Sequence, residues 1–415
     1  MRSASMLTYN CYRIKTPLLM MTHYHPISIT HCFYVTLILA FGALLVVGCQ
    51  SDAHEVSIEE RDGVLHIRNA GPGLWADRDA SPIDFDLEQT YGTDDGTDAM
   101  LGDARTFVAD DTGHLYVFDR QTSQLKGFAP DGTLRWTAGR QGEGPGEFQN
   151  PFHDRVLTLD ESNLYVLHQM GTRIEHFDTD GSYIDSYSIG EDTQVNALVG
   201  TSPKGHLLLA APIWGRVGEH LYRFDLDTQT IVDDTEIVLH DDPVDEERSA
   251  RTAGLTVHGD SLVGRLGIGQ YELWSLDAVG TPARTITREV DYMVGVGQYD
   301  IDGGFRMRGY SSLKGPFVLP SGHWFAFTYY APEVRDPDEQ LQREINENAP
   351  SPTYRATIDL FDSDGRFLDA MVWEDTQTPD IGEPAQVDAE GRLYTIAQEP
   401  YPQLRRYAVR VAAPQ

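Results

Sequence analysis

A short apolar run recurs six times along the chain, and a period of that kind restricts the fold to a repeat architecture. The runs are His114-Leu115-Tyr116-Val117, Asn163-Leu164-Tyr165-Val166, His206-Leu207-Leu208-Leu209, Ser261-Leu262-Val263, His323-Trp324-Phe325-Ala326 and Arg392-Leu393-Tyr394-Thr395. Four follow a glycine directly, at Gly113, Gly205, Gly322 and Gly391. Glycine supplies the positive φ of a tight hairpin. Downstream of each run stands an apolar residue with an aromatic three places later. These pairs are Leu125/Phe128, Ile174/Phe177, Leu221/Phe224, Tyr271/Trp274, Ile358/Phe361 and Leu404/Tyr407. Asp-Gly pairs at Asp131-Gly132, Asp180-Gly181 and Asp364-Gly365 then mark a turn into a further strand such as Leu134 to Ala138.

Six four-stranded units spaced about 43 to 69 residues apart read as an all-β, six-bladed β-propeller of antiparallel blades. Blades sandwiched between neighbours bury both faces, which accounts for apolar runs without strict polar alternation. The last unit ends near Val411, one strand short. Phe85 to Gly92 aligns with Leu134 to Gly139 and is expected to supply that outer strand, so that an N-terminal strand closes the ring. Val64 to Arg68 is a second candidate for closure, or an extra edge strand. The propeller is expected over residues 61–412, with an insertion at 331–353. Within the insertion, Asp336-Pro337 caps a short helix, and Pro350 and Pro352 bound its far side. A second irregular stretch, Val294 to Gly309, is rich in glycine. Both stretches are long enough to shape a binding surface.

The first 48 residues contain Arg2, Arg13 and Lys15 but no Asp or Glu, and they end in an apolar run from Phe33 to Val47. That run is shorter than the roughly 20 residues of a membrane-spanning helix. It fits the apolar region of a secretory signal covering 1–48. Val46-Val47-Gly48-Cys49 matches the lipobox of bacterial lipoproteins, which makes Cys49 the expected lipidation site. Cys49 is also the only cysteine from that point onward, so no disulfide can form within the mature chain. Residues 49–60, acidic and polar, are expected to tether the folded domain to the lipid. The implied address is the cell envelope: a bacterial membrane, the outer membrane or periplasmic face rather than the cytoplasm.

Sixty-four acidic residues face 32 basic ones, for a formal net charge of −32. That balance argues against nucleic acid and against an anionic membrane surface as partners. Beyond the N-terminal region only Lys126, Lys204 and Lys314 are lysines. Either a salt-adapted source or a GC-rich genome would give that composition.

The strand Leu134 to Ala138 exits through Gly139-Arg140-Gln141-Gly142-Glu143-Gly144-Pro145-Gly146-Glu147-Phe148. This loop and the blade before it resemble the six-bladed β-propeller lipoproteins of Bacteroidetes and related bacteria, relatives of the NHL-repeat proteins. The resemblance is strongest from Phe85 to about Gly190. It implies the fold and the lipid anchor and adds little mechanism. Other relatives with this architecture include metal-dependent lactonases and lyases, with Glu, Asp, Asn or His ligands in the central channel. No motif here aligns with theirs. The glycines of the loop do not form a phosphate cradle, since neither a Gly-Lys-Ser/Thr element nor a helix follows. They let the chain pass from an outer strand to the next inner strand.

No His-Glu-x-x-His, Gly-x-Ser-x-Gly or cysteine-pair motif occurs. His114, His206 and His323 recur at equivalent hairpin positions, which reads as structural. Counting eight residues back from each hairpin glycine or its equivalent reaches Arg105, Arg155, Ala197, Thr252, Lys314 and Glu383, with Arg251 beside Thr252. Arg105, Arg155, Arg251 and Lys314 therefore make a candidate channel-mouth site for an anion such as a carboxylate or anionic sugar. The alternative is that they pair with local acids such as Asp103, Asp154 and Glu383. The chain is expected to be a monomeric binding or scaffold module for a protein, peptide or glycan, with no cofactor and no metal. The competing expectation is a metal-dependent hydrolase or lyase with its site in the channel.

Overall fold

The computed structural model describes residues 54–149, 156–190, 193, 195–213, 217–240, 254–266, 270–301 and 304–413. The expected signal segment, Cys49 and the next four residues lie outside the described residues. Six antiparallel blades follow one another in chain order. The first comprises Thr106–Ala109, Leu115–Asp119, Gln124–Phe128 and Leu134–Ala138. The second runs from Leu157–Asp160 to Tyr183–Ser188, and the third from Ala197–Thr201 to Thr230–His240. The fourth runs from Thr256–His258 to Pro282–Arg288, and the fifth from Ser311–Val318 to Phe367–Trp373. The sixth has three strands, Glu383–Val387, Leu393–Ala397 and Gln403–Val411.

Three strands precede the first blade: β1 (Glu55–Arg61), β2 (Val64–Ala70) and β3 (Ile83–Tyr91). β3 is the missing outer strand of blade six, paired antiparallel from Leu404–Tyr91 to Val411–Ile83. The ring is closed where the sequence repeat placed the closure. β2 is an extra strand on blade four, parallel to its outer strand, and β1 pairs with β2 to become the edge of a six-stranded sheet. Residues 55–60, expected to belong to a tether, instead form part of a hairpin arm, Glu55–Arg61, built from alternating Val56 and Ile58 and the Asp62-Gly63 turn. Between β2 and β3 the chain crosses the rim of blade five. Leu74 and Trp75 donate their backbone N–H groups to Phe367 and Leu368 at 3.2 and 2.8 Å. Buried Asn69 fastens the crossing by donating to Thr287 and Gly365 and accepting from the Phe367 N–H.

Asp supplies most of the turns. Asp110, Asp178, Asp277, Asp362 and Asp388 each accept two backbone N–H groups from the next few residues, through one side-chain oxygen. These side-chain-closed turns explain part of the acidic composition as local structure. His114 joins one of them, 3.1 Å from Asp110 and 2.7 Å from Thr112, in keeping with a structural role.

The core is a ring of clusters between blades rather than one central mass. Separate apolar clusters join blades one to three, three to four, four to five, five to six and six back to one. The third-strand pairs sit in them: Leu125, Phe128, Ile174, Phe177, Leu221, Phe224, Ile358, Phe361, Leu404 and Tyr407 are all buried. Blade four departs from the expected pair. Strand register places Leu276 opposite Leu262, as Phe128 is opposite Leu115, so Leu273 and Leu276 hold the positions assigned to Tyr271 and Trp274. Trp274 instead lies opposite Gly264.

The two irregular stretches combine into one unit beside blade five. Val294 to Gly309 contains a hairpin, Val296–Ile301 with Gly304–Gly309. The insertion at 331–353 carries helix α1 (Pro337–Asn346), capped by Asp336, whose side chain accepts from the N–H groups of Asp338 and Glu339. Leu341 of α1 is buried with Tyr310, Ala331, Val334 and Tyr354. Arg308 and Tyr310 both bond Glu344, and Asn346 donates to the Tyr299 hydroxyl at 2.8 Å.

Candidate functional site

Two of the four channel-mouth cations lie among the described residues, and each faces an acid. Lys314 is ion-paired with Glu383, both partly buried on neighbouring inner strands. Arg105 lies 3.4 Å from Asp103 with its side chain 57% exposed. The two are not structural equivalents. Lys314 and Glu383 share a register position with Thr106 and Ala197, one place after Arg105, because blade five has a bulge between Lys314 and Phe317. Arg155 and Arg251 lie outside the described residues. In its described part both cations of the mouth stand beside carboxylates, with Asp103 shared between Arg105 and Arg120.

The glycine-rich loop is a packing device. Its terminal Phe148 is fully buried, edge-on to Phe118 at 4.8 Å and 5.8 Å from Phe177, so it plugs the seam between blades one and two. Gly139 has a positive φ of 78°, and a Cβ there would meet the Phe148 ring at 2.3 Å. Buried Glu175 holds the loop from blade two. It accepts from the Gly146 N–H at 3.1 Å and from Ser186 at 2.9 Å, beside His168 at 3.1 Å and Arg173 at 2.7 Å.

Blade one repeats the device with Asp119, which accepts from the N–H groups of Gly102 and Asp103 and pairs with Lys126 at 3.0 Å. Burial pushes the Asp119 carboxyl up, but those N–H groups and the Lys126 ammonium outweigh it and hold the group below the usual carboxylate range. A folded-state value below the unfolded one, about 3.9, contributes stability above pH ~4 that is lost as pH falls through the folded value. Urea unfolding followed between pH 3 and 6 should therefore show a shallower loss of stability on acidification in Asp119→Asn than in the wild type. Equal slopes would assign the acid sensitivity to other groups.

A concave surface lies on the extended sheet of blade four. β1, β2 and the outer strand of that blade present one face to a groove of about 680 Å³. Every second residue points into it: Ser57, Glu59 and Arg61 from β1, His66 and Arg68 from β2, Thr285 and Thr287 beyond. His66 Nδ1 meets Thr285 Oγ1 at 2.8 Å. Arg68 is exposed and has no carboxylate partner among the described residues. At the inner end stand Tyr271, Glu272 and Arg288. Arg288 donates to buried Asp359 of blade five at 2.5 Å and lies 3.9 Å over the Phe367 ring. Burial pushes the Tyr271 and Tyr292 hydroxyls up, and nearby Asp359 adds to it, so both stay protonated. Tyr292 in turn stacks on Tyr330 at 3.7 Å. No motif marks this groove. Alternation in residues 55–68 is its only trace in the sequence, and the partner strands come from positions more than 200 residues away.

Among the described residues no three His, Cys, Asp or Glu side chains are grouped as a metal site. None of the described helices is long and apolar enough to cross a membrane.

Residues 98–202 match the family model described as 6-bladed beta-propeller, DUF5128. No curated protein matches the sequence. Among solved structures, a member of the DUF4221 family from Bacteroides vulgatus is 12% identical with a TM-score of 0.50, covering 80% of this chain and 99% of that one. A Bacteroides fragilis protein described as exported is 11% identical with a TM-score of 0.49, over 80% and 96% of the two chains. The virginiamycin B lyase of Staphylococcus aureus is 11% identical with a TM-score of 0.41, over 78% and 99%. At such identities a likeness speaks for fold alone. The blade order, the strand that closes the ring and the family model matched over residues 98–202 identify the chain as a six-bladed β-propeller.

Proposed function

We propose that the chain is an extracytoplasmic binding module, held to a bacterial membrane by lipid on Cys49, which takes a polar polypeptide segment into the groove of blade four. The observation that carries the binding role is the groove itself. It is a polar sheet face of mixed charge and hydroxyl groups, with Arg68 lacking a carboxylate partner among the described residues and Arg288 fixed at its inner end. An extended peptide offers carboxylates and carbonyls at the spacing of such a face. Val46-Val47-Gly48-Cys49 and the apolar run before it support the anchor.

Envelope extracts passed over the immobilised protein test the groove. A protein retained by the wild type should be lost from Arg68→Glu, and trypsin treatment of the extract should abolish its capture. Capture that survives both changes would sink the peptide reading, and a trypsin-resistant, glycosidase-sensitive ligand would replace it with a glycan. For the anchor, wild-type cells should incorporate labelled palmitate into the protein, and Cys49→Ser should move it from the membrane to the soluble fraction.

A further inference from the structure

β1 is the last strand of its six-stranded sheet, and its outer edge bonds to no strand among the described residues. We propose that this edge pairs with the same strand of a second copy, forming a two-fold dimer through a continuous sheet. The sequence reading expected a monomer; the register of β1 points elsewhere.

The turn after β1 is Asp62-Gly63, with φ values of 54° and 81°, and the pair that closes it is Arg61–Val64. Two positive φ values in a two-residue turn define a type I′ hairpin, whose closing pair is hydrogen-bonded. Antiparallel bonding alternates along a strand. The backbone groups of Arg61, Glu59, Ser57 and Glu55 therefore face β2, and those of Glu60, Ile58 and Val56 face outward. That outward set is symmetric about Ile58. An antiparallel copy centred there places Ile58 opposite Ile58 and Val56 opposite Glu60, and every outward N–H meets an outward carbonyl.

The side chains agree with this register. Glu55 falls opposite Arg61 at both ends, and Ser57 falls opposite Glu59, so no like charges meet directly. Arg61, which now has only exposed Glu59 of its own strand at 2.7 Å, gains a second carboxylate. Ile58, 48% exposed, covers its own counterpart at the axis. A register displaced by two residues loses both Glu55–Arg61 pairs, one at each end. The charges that would discourage a foreign strand thus fit a second copy, which distinguishes this edge from one guarded by unmatched charge. The two blade-four grooves would then lie on one shared sheet face.

Full-length chain in detergent tests the proposal by disulfide trapping. A hydrogen-bonded antiparallel pair has a Cα separation of about 5.5 Å, inside the range of about 4.4–6.8 Å that a disulfide spans. Under mild oxidation Ile58→Cys should give a cross-linked dimer, above the background of the wild-type chain and of Val279→Cys, a control at a more exposed position. Adding Arg61→Glu should lower the yield at a given dilution about tenfold, and adding Glu55→Arg as well should restore it. Unchanged melting of each variant, expected for these exposed positions, shows that folding is intact. Ile58→Cys cross-linking no better than Val279→Cys would overturn the dimer. Cross-linking indifferent to Arg61→Glu would overturn this register.

Discussion

A chain that begins at Thr93 should fail to fold, whereas one that begins at Pro82 should still form the propeller. The difference is β3. Without it the strand Gln403–Val411 becomes an open edge with a full row of unpaired backbone groups. The seam between blades six and one also loses Tyr91, which is fully buried and edge-on to Phe128 at 6.1 Å. Fully buried Ile83 is lost at the other end of the strand. Removing two such side chains costs several kcal/mol, at about 1.5–3 kcal/mol for each large apolar group, against a typical total of about 5–15. The exposed edge then invites aggregation. Starting at Pro82 removes only β1, β2 and the crossing over blade five, and leaves the ring closed. Soluble expression, near-ultraviolet circular dichroism and protease resistance of the two truncations check this. Adding a peptide of residues 82–92 should rescue the shorter chain. A chain from Thr93 that melts cooperatively at the wild-type temperature would show that the other blades hold the ring without closure.

Phe148→Ala should cost about 3–5 kcal/mol, the range for truncating a buried aromatic side chain. The ring touches both blades it joins, through Phe118 on one side and His168 and Phe177 on the other. Collapse into the space is hindered from behind, because the Gly139 backbone already lies against the ring. Phe148→Leu should cost less, since it fills part of the cavity. Val279→Ala, at an exposed turn, should stay within about 0.5 kcal/mol of the wild type. Urea midpoints at constant slope measure all three. A loss below about 1 kcal/mol for Phe148→Ala would mean that the loop closes over the gap and that its glycines matter for something other than this packing.

Much of the fold was legible because its parts are local. A glycine before an apolar run, an aromatic three residues on and an Asp-Gly turn are decided within ten residues, by backbone geometry and by the alternation of a strand. The repeat then identified Phe85 to Gly92 as the closing strand, since a unit lacking its last strand can be completed only from the other end of the chain. The insertion helix was equally local, marked by Asp336-Pro337. Blade four was misaligned by two residues because both Trp274 and Leu276 are apolar, and only pairing with Gly264 and Leu262 separates them.

The candidate site was far less legible. Residue counting set Arg105 and Lys314 in one ring of positions, but a bulge in blade five shifts the register, and Asp103 and Glu383 stand beside the two cations. The blade-four groove could not be seen in advance, for its walls join residues 55–70 to residues 270–293. The sequence alone determined the repeated elements, their order and the closure of the ring, all of which depend on neighbours in the chain. Only the tertiary structure decided which charges are satisfied, where a concave face opens and which strand edge is left unpaired. Those properties depend on residues brought together across the whole length of the chain, and no local pattern encodes them.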